Sequence, residues 1–180
     1  EEATEDIEKM AAITPTDKPY LRTGIFETYK ARMPWLLLLM ISATFTGAII
    51  TKFEDALATF VVLTAYIPML MDTGGNSGSQ ASVSVIRALS LGDVEFRDVL
   101  KVIWKEIRVA VLCGITLAAA NFIKLILLDK LALMVALVVC LTLVLVVLVA
   151  KIIGCTLPML ADKAGLDPAV MASPFITTLV

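Results

Sequence analysis

Hydrophobic positions in this chain gather into long runs, with polar residues concentrated between them. A helix crossing the roughly 30 Å of bilayer hydrocarbon needs about 20 mostly apolar residues. Residues 35–51 fit a first span, with Pro34 near its start. A second opens at residue 57, stays apolar to residue 71 and continues as a polar run to residue 86. Residues 109–128 form a third, interrupted by Asn121 and Lys124, and residues 131–160 a fourth, whose first 20 residues carry no charge. Residues 169–180 open a fifth. At 1.5 Å per residue this last run reaches about 18 Å, short of a crossing, so the chain reads as cut inside a membrane helix. A buried core helix in a soluble domain explains one such run but not four. The pattern predicts an all-α, polytopic helical membrane protein with five spans per subunit, the fifth truncated, behind a cytoplasmic N-terminal helix. A division at residue 19 separates that helix and its linker (1–19) from the transmembrane part (20–180).

Lys and Arg in the flanks set the orientation. Lys18, Arg22, Lys30 and Arg32 precede the first span, and Arg87, Arg97, Lys101, Lys105 and Arg108 lie between the second and third. The connection between spans one and two has Lys52 beside Glu54 and Asp55. The N-terminus, the 87–108 segment and the 161–168 loop are therefore expected in the cytoplasm, and the chain in the cell (inner) membrane. A long charged leader precedes the first apolar run, which is not the layout of a signal peptide.

Composition sharpens this picture. Hydrophobic types make up 59% of 180 residues and charged types 18%, against about 45–50% and 25% in soluble domains, and the mean hydropathy is +0.91. The net charge of −2 and the lack of a basic run exclude a nucleic-acid binder. There is no His, which removes the commonest general base and zinc ligand. Cys113, Cys140 and Cys155 are scattered in apolar surroundings and read as small buried hydrophobes. An intramembrane enzyme lacks the necessary parts.

The chemistry concentrates at residues 72–84, which hold Asp72, Asn76, Gln80, four Ser and three Gly. Lipid cannot satisfy such groups, so they must face protein or water, and an intramembrane acid marks a functional site by default. Pro68 and the glycines predict a helix bent or unwound here, with freed carbonyls turned into a cavity. The competing reading is a small-xxx-small packing stripe through Gly74, Gly78 and Ser82. It leaves Asp72, Asn76 and Gln80, on a face of their own, unexplained. Oxygen donors without thiolates or imidazoles suit a hard cation. Composition does not separate magnesium from calcium, sodium or a proton-coupled substrate.

In the leader, Glu2, Glu5 and Asp6 share one helical face and repel each other. A divalent cation would relieve that repulsion, whereas a solvated acidic face needs none. Thr14-Pro15 through Lys18-Pro19 ends the helix in a linker. Residues 93–108 are amphipathic, with Asp93 as the expected N-cap, and fit either an interfacial helix or one packed between spans. Asp167 is placed to N-cap the fifth span with Pro168 in its first turn; Pro158 and Pro174 would bend a span or mark its end.

The run PMLMDTGGNSGSQAS (68–82) resembles the second span of the MgtE family of magnesium channels. EEATEDI (1–7) is similar to the end of that family's connecting, or plug, helix, and GLDPAVMASPFITTLV (165–180) to the opening of its fifth span. The resemblance implies a homodimer of five-span subunits in membrane lipid, with an N-domain and a CBS pair preceding the plug helix outside this sequence. It implies a pore at the dimer axis lined by spans two and five. Hydrated Mg2+ would there meet the carbonyls of Gly75 and Gly78, with Thr177 contributing and a charge-reading Asp directly following Val180. It also implies plug-helix Mg2+ ligands at Glu2, Glu5 and Asp6, a cytoplasmic one at Asp167, and pore-lining positions at Asp72, Asn76, Ser79 and Ser173. The last is an Asn in the family. Mg2+ would be both cargo and regulator of passive uptake. The alternatives are a cation-coupled secondary transporter using Asp72 and a purely structural membrane subunit.

Overall fold

The computed structural model describes residues 2–16, 18–171 and 173–179, and for residues 2–4, 173 and 174 the backbone alone. Helices α1 (Glu2–Met10), α2 (Ile25–Lys52), α3 (Glu54–Thr59), α4 (Val61–Thr64), α5 (Ile67–Ser90), α6 (Val99–Leu127), α7 (Leu133–Lys163) and α8 (Ser173–Leu179) follow in order, with no strand among the described residues. Single 3-10 turns at Tyr20–Arg22, Phe96–Asp98 and Pro168–Met171 precede α2, α6 and α8. Three of the helices are long and apolar enough to cross a membrane: Ile25–Lys52, Phe96–Leu127 and Leu133–Lys163.

The most apolar helix, α7, is central. Helices α5 and α6 pack along it, and α8 lies on α5. Three apolar clusters fix the register. Tyr66 and Leu125 meet Ala136, Val139 and Cys140 at one end. Leu70 and Ala110 meet Leu143 and Val147 in the middle. Val85 and the 96–103 segment meet Cys155 and Met159 at the other end. Residue numbers rise together on α5 and α7 and fall on α6, so α5 runs parallel to α7 and α6 antiparallel to both. At the first end, the Tyr66 hydroxyl (2.8 Å) and the Lys124 ammonium (2.9 Å) both donate to Asp129 Oδ2.

Local chemistry accounts for several boundaries that differ from those expected. The expected second span, 57–86, is interrupted at Phe60 and again at Ala65–Tyr66, leaving α3, α4 and α5. Pro68 sits in the first turn of α5, where its missing N–H needs no partner, so it starts that helix instead of kinking a longer one. Helix α2 begins at Ile25 and carries Pro34 inside it, as α7 carries Pro158. Gly92 and Gly165 adopt φ of +71° and +72°, ending α5 and α7 in left-handed turns closed by Asp93 N–H to Ala88 O and Leu166 N–H to Ala161 O, both 2.9 Å. Asp93 therefore closes the turn after α5 and does not cap the next helix. That role belongs to a reciprocal capping box between Glu95 and Asp98. The 93–108 amphipathic segment is the packed beginning of α6, not a separate interfacial helix.

Helix α2 stands apart. None of its residues is buried; the Trp35 ring meets Phe175 edge-on at 6.1 Å and its indole N–H donates to Thr14 Oγ1 at 3.3 Å, Thr14 N–H donates to Ala31 O at 3.0 Å, and Lys18 pairs with Glu27 at 2.7 Å.

Candidate cation pathway

Helix α5 has two unlike faces. Gly74, Gly75, Ser77, Gly78, Ala81, Ser82, Val85 and Ile86 are buried, while Asp72, Asn76 and Gln80 are exposed and Ser79 is partly so. The buried face shows why the glycines are there. A Cβ on Gly75 would stand 2.8 Å from Thr177 Cγ2, and one on Gly78 2.5 Å from Ile176 Cγ2 and 3.0 Å from Ala150 O. A Cβ on Gly154 would fall on the Gly78 carbonyl. Backbones approach this closely only where side chains are absent.

This corrects the expectation of an unwound segment. Residues 67–90 form one continuous α-helix, because the missing Cβ atoms serve close packing, and a regular helix keeps its own main-chain hydrogen bonds where water is scarce. The Gly78 carbonyl stands against Gly154 of α7. Gly75 lies against Thr177 of α8, which brings these two residues together.

On the outer face, Asn76 Nδ2 donates to Asp72 Oδ2 at 3.1 Å, one helical turn apart. Thr73, Asn76, Ser77 and Gln80 form the polar wall of a 530 Å³ cleft completed by Leu112, Cys113, Thr116, Leu117 and Lys151. Ser173 and Glu2 were expected to act through their side chains, which lie outside the described residues.

At the other end of the sequence, Glu5, Asp6 and Asp167 do converge, but on Lys9. Its Nζ stands 3.7, 3.9 and 2.8 Å from their carboxylates. The hydrogen bond with Asp167 raises the Lys9 pKa and holds the Asp167 carboxyl below its usual range. Lys9 thus places a positive charge among these carboxylates. Asp167 Oδ1 also accepts from Ala169 N–H at 2.9 Å, its expected capping role, although the capped element is the 3-10 turn Pro168–Met171. Among the described residues no three His, Cys, Asp or Glu are grouped to hold a metal ion.

Reading the residues in order missed the pair Lys151 and Glu106. Lys151 is 5% exposed, and its Nζ lies 3.7 Å from Glu106 Oε2. A lone Lys in the apolar run of span four was the available signal, but its partner is 45 positions away in sequence and only the fold joins them.

The sequence profile of the MgtE family, described as a divalent cation transporter, matches residues 67–180, the stretch from the start of α5 through α8. The chain belongs to the MgtE family. It is 38% identical over 178 residues to the magnesium transporter MgtE of Thermus thermophilus. It is 35% identical over 182 residues to the protein of that name from Bacillus subtilis, and 28% identical over 182 residues to that from Enterococcus faecalis. Each match covers 99% of this chain and 39% of the relative, so the chain spans about two-fifths of their length. Family membership and the three apolar helices make it an all-helical membrane protein of a transporter family, not of an enzyme family.

Proposed function

We propose that this chain is the membrane part of a magnesium channel, through which Mg2+ passes down its electrochemical gradient. The reading rests on one observation above all: α5 locks one face against α7 and α8 while presenting Asp72, Asn76 and Gln80 outward. Such a face has no place against acyl chains. In a homodimer of five-span subunits, two such faces meet across an axis and enclose water. Asp72 and Asn76 line this path, with Ser79 beside them and with Gly75 and Thr177 where span five joins. Gly78 sets the helix spacing and leaves the lining to its neighbours. Mg2+ loses its water reluctantly, so amide, hydroxyl and carboxylate oxygens recognise its hydration shell. With the N-terminus in the cytoplasm of the cell (inner) membrane, the membrane potential drives uptake at about 2.3 kcal/mol per charge per 100 mV.

The regulatory reading follows from the α1 contacts. Cytoplasmic Mg2+ competes with Lys9 for Glu5, Asp6 and Asp167, with Glu2 on the same helical face, and partners them with the preceding N- and CBS domains. Holding α1 against the 168–171 turn then keeps the path closed, a population shift driven by differential ion binding.

The test is Mg2+ flux into liposomes carrying the full-length protein, under an imposed K+ diffusion potential. A channel gives flux that grows with the potential and persists without a proton or Na+ gradient. Flux that requires such a gradient and is uncoupled by Asp72→Asn selects the secondary transporter instead.

A further inference from the structure

Lys151 is the one buried cation among the described residues, and nothing in the proposed ion path uses it. Its partner Glu106, itself 13% exposed, stands at 3.7 Å, close enough for an ion pair but too long for a hydrogen bond. Among the described residues no hydrogen bond to the ammonium is formed, although it carries three donors. It lines the 530 Å³ cleft between α5, α6 and α7, on whose walls Asn76, Ser77, Gln80 and Thr116 supply further polar groups and Leu112 and Leu117 an apolar border. Leu112 is 70% exposed, so the cleft opens sideways between the helices.

The depth of the ammonium is set by its neighbours. Lys101, Trp104, Lys105 and Arg108 are exposed on α6, with Arg108 stacked 5.9 Å from the Trp104 ring. Exposed charges and an exposed Trp belong at the headgroup level. From Arg108 to Leu127 α6 rises about 28 Å, and from Leu133 to Lys151 α7 rises about 27 Å, each one hydrocarbon thickness. Glu106, Arg108 and Lys151 therefore share one boundary plane. Arg108 lies one turn from Leu112 and two from Thr116 on the same stripe of α6.

We infer that this cleft binds an anionic phosphate group, with the buried Lys151 ammonium as its anchor and Arg108 one turn from its Leu112 border. An ammonium that donates no hydrogen bond among the described residues, in a mostly apolar cleft edged by Asn76, Ser77, Gln80 and Thr116, suits phosphate oxygens, and Lys105 and Arg108 flank Glu106 on α6. The sideways opening at headgroup depth suits a phospholipid whose chains lie along Leu112 and Leu117. A free phosphate ion carries the same chemistry. The anchoring charges, Lys151 and Arg108, are not among the residues of the ion path, and Asn76 and Gln80 stand at the edge of α5 where the cleft borders that path.

The test is native mass spectrometry of the full-length protein in detergent, titrated separately with dioleoylphosphatidylglycerol and with inorganic phosphate. The expected result is a tightly retained phosphatidylglycerol, weakened about tenfold or more by Lys151→Met, kept by Lys151→Arg and strengthened by Glu106→Gln. Leu112→Trp, which obstructs the mouth and spares the buried pair, weakens it as well and covers the case in which Lys151→Met does not fold. Lys151-dependent binding of phosphate without lipid supports the site and assigns it to the free ion. Binding of neither probe, or binding that is unchanged in both Lys151→Met and Leu112→Trp, overturns it, as would disulfide trapping of a second subunit against a cysteine at position 112.

Discussion

Helices α2 and α5 are opposites. Helix α2 is long and apolar, and no residue of it is buried. Helix α5 carries Asp, Asn, Gln, several Ser and three Gly, yet buries eight residues against α7 and α8. In a membrane, apolar side chains gain nothing by leaving lipid for protein, so hydrophobicity does not select the packed helix. Close approach of backbones does, and small residues permit it. Helix α5 is built for contact on one side and carries Asp72, Asn76 and Gln80 exposed on the other, while α2 exposes apolar side chains all round.

Substitutions break or sharpen this contrast. The largest effect is expected at the α5–α7 crossing. Gly154→Ala sets a methyl on the Gly78 carbonyl, and Gly78→Ala crowds Ile176 and Ala150 O. Overpacking of this kind costs about 1–3 kcal/mol, read as a lowered midpoint of thermal unfolding in detergent; unchanged midpoints would mean that the crossing is loose. Next is Tyr66→Phe, which removes the hydroxyl donated to Asp129 and frees α5 from the α6–α7 turn. About 1 kcal/mol is expected, measured in the same way.

The α1 contact is smaller and depends on pH. Because Lys9 lowers the Asp167 pKa, the stabilisation from this carboxylate is complete above the ordinary carboxylate range near 4. It is lost as pH falls through the lowered value. Hydrogen exchange of α1 amides should therefore keep its protection, after correction for the intrinsic exchange rate, from pH 7 to 5 and lose it below the ordinary range. Loss already at pH 6 would assign the contact to another group. The smallest effect is at α2: Ile41→Ala, at a side chain 61% exposed, should change stability by less than about 0.5 kcal/mol. A larger loss would show that α2 is held by a surface absent from the single chain.

How much the sequence revealed depended on whether a feature was local. The runs 35–51, 109–128 and 131–160 correspond to α2, α6 and α7 because apolar length is written directly in the chain. Their ends lay further out, since residues 25–33 and 99–108 continue as helix with polar residues beyond the apolar runs. The polar face of α5 was legible from Asp72, Asn76 and Gln80 at four-residue spacing. The role of Gly74, Gly75 and Gly78 was not, because glycine permits both unwinding and close packing, and the choice rests on Ala150, Gly154 and Ile176, far away in sequence. The partner of Lys9 was not legible in the leader, since the approach of Asp167 is a tertiary event, and the Lys151–Glu106 pair was hidden for the same reason.

The central claim is that the outer face of α5 looks onto water. A nitroxide on Asn76→Cys, in full-length protein with Cys113, Cys140 and Cys155 replaced and reconstituted in lipid, reports this directly by power-saturation electron paramagnetic resonance. Greater access to a water-soluble nickel chelate than to oxygen, reduced by Mg2+, is the predicted result. Oxygen access matching that of a label at Ile41, with none to the chelate, would place the face in acyl chains and contradict the account.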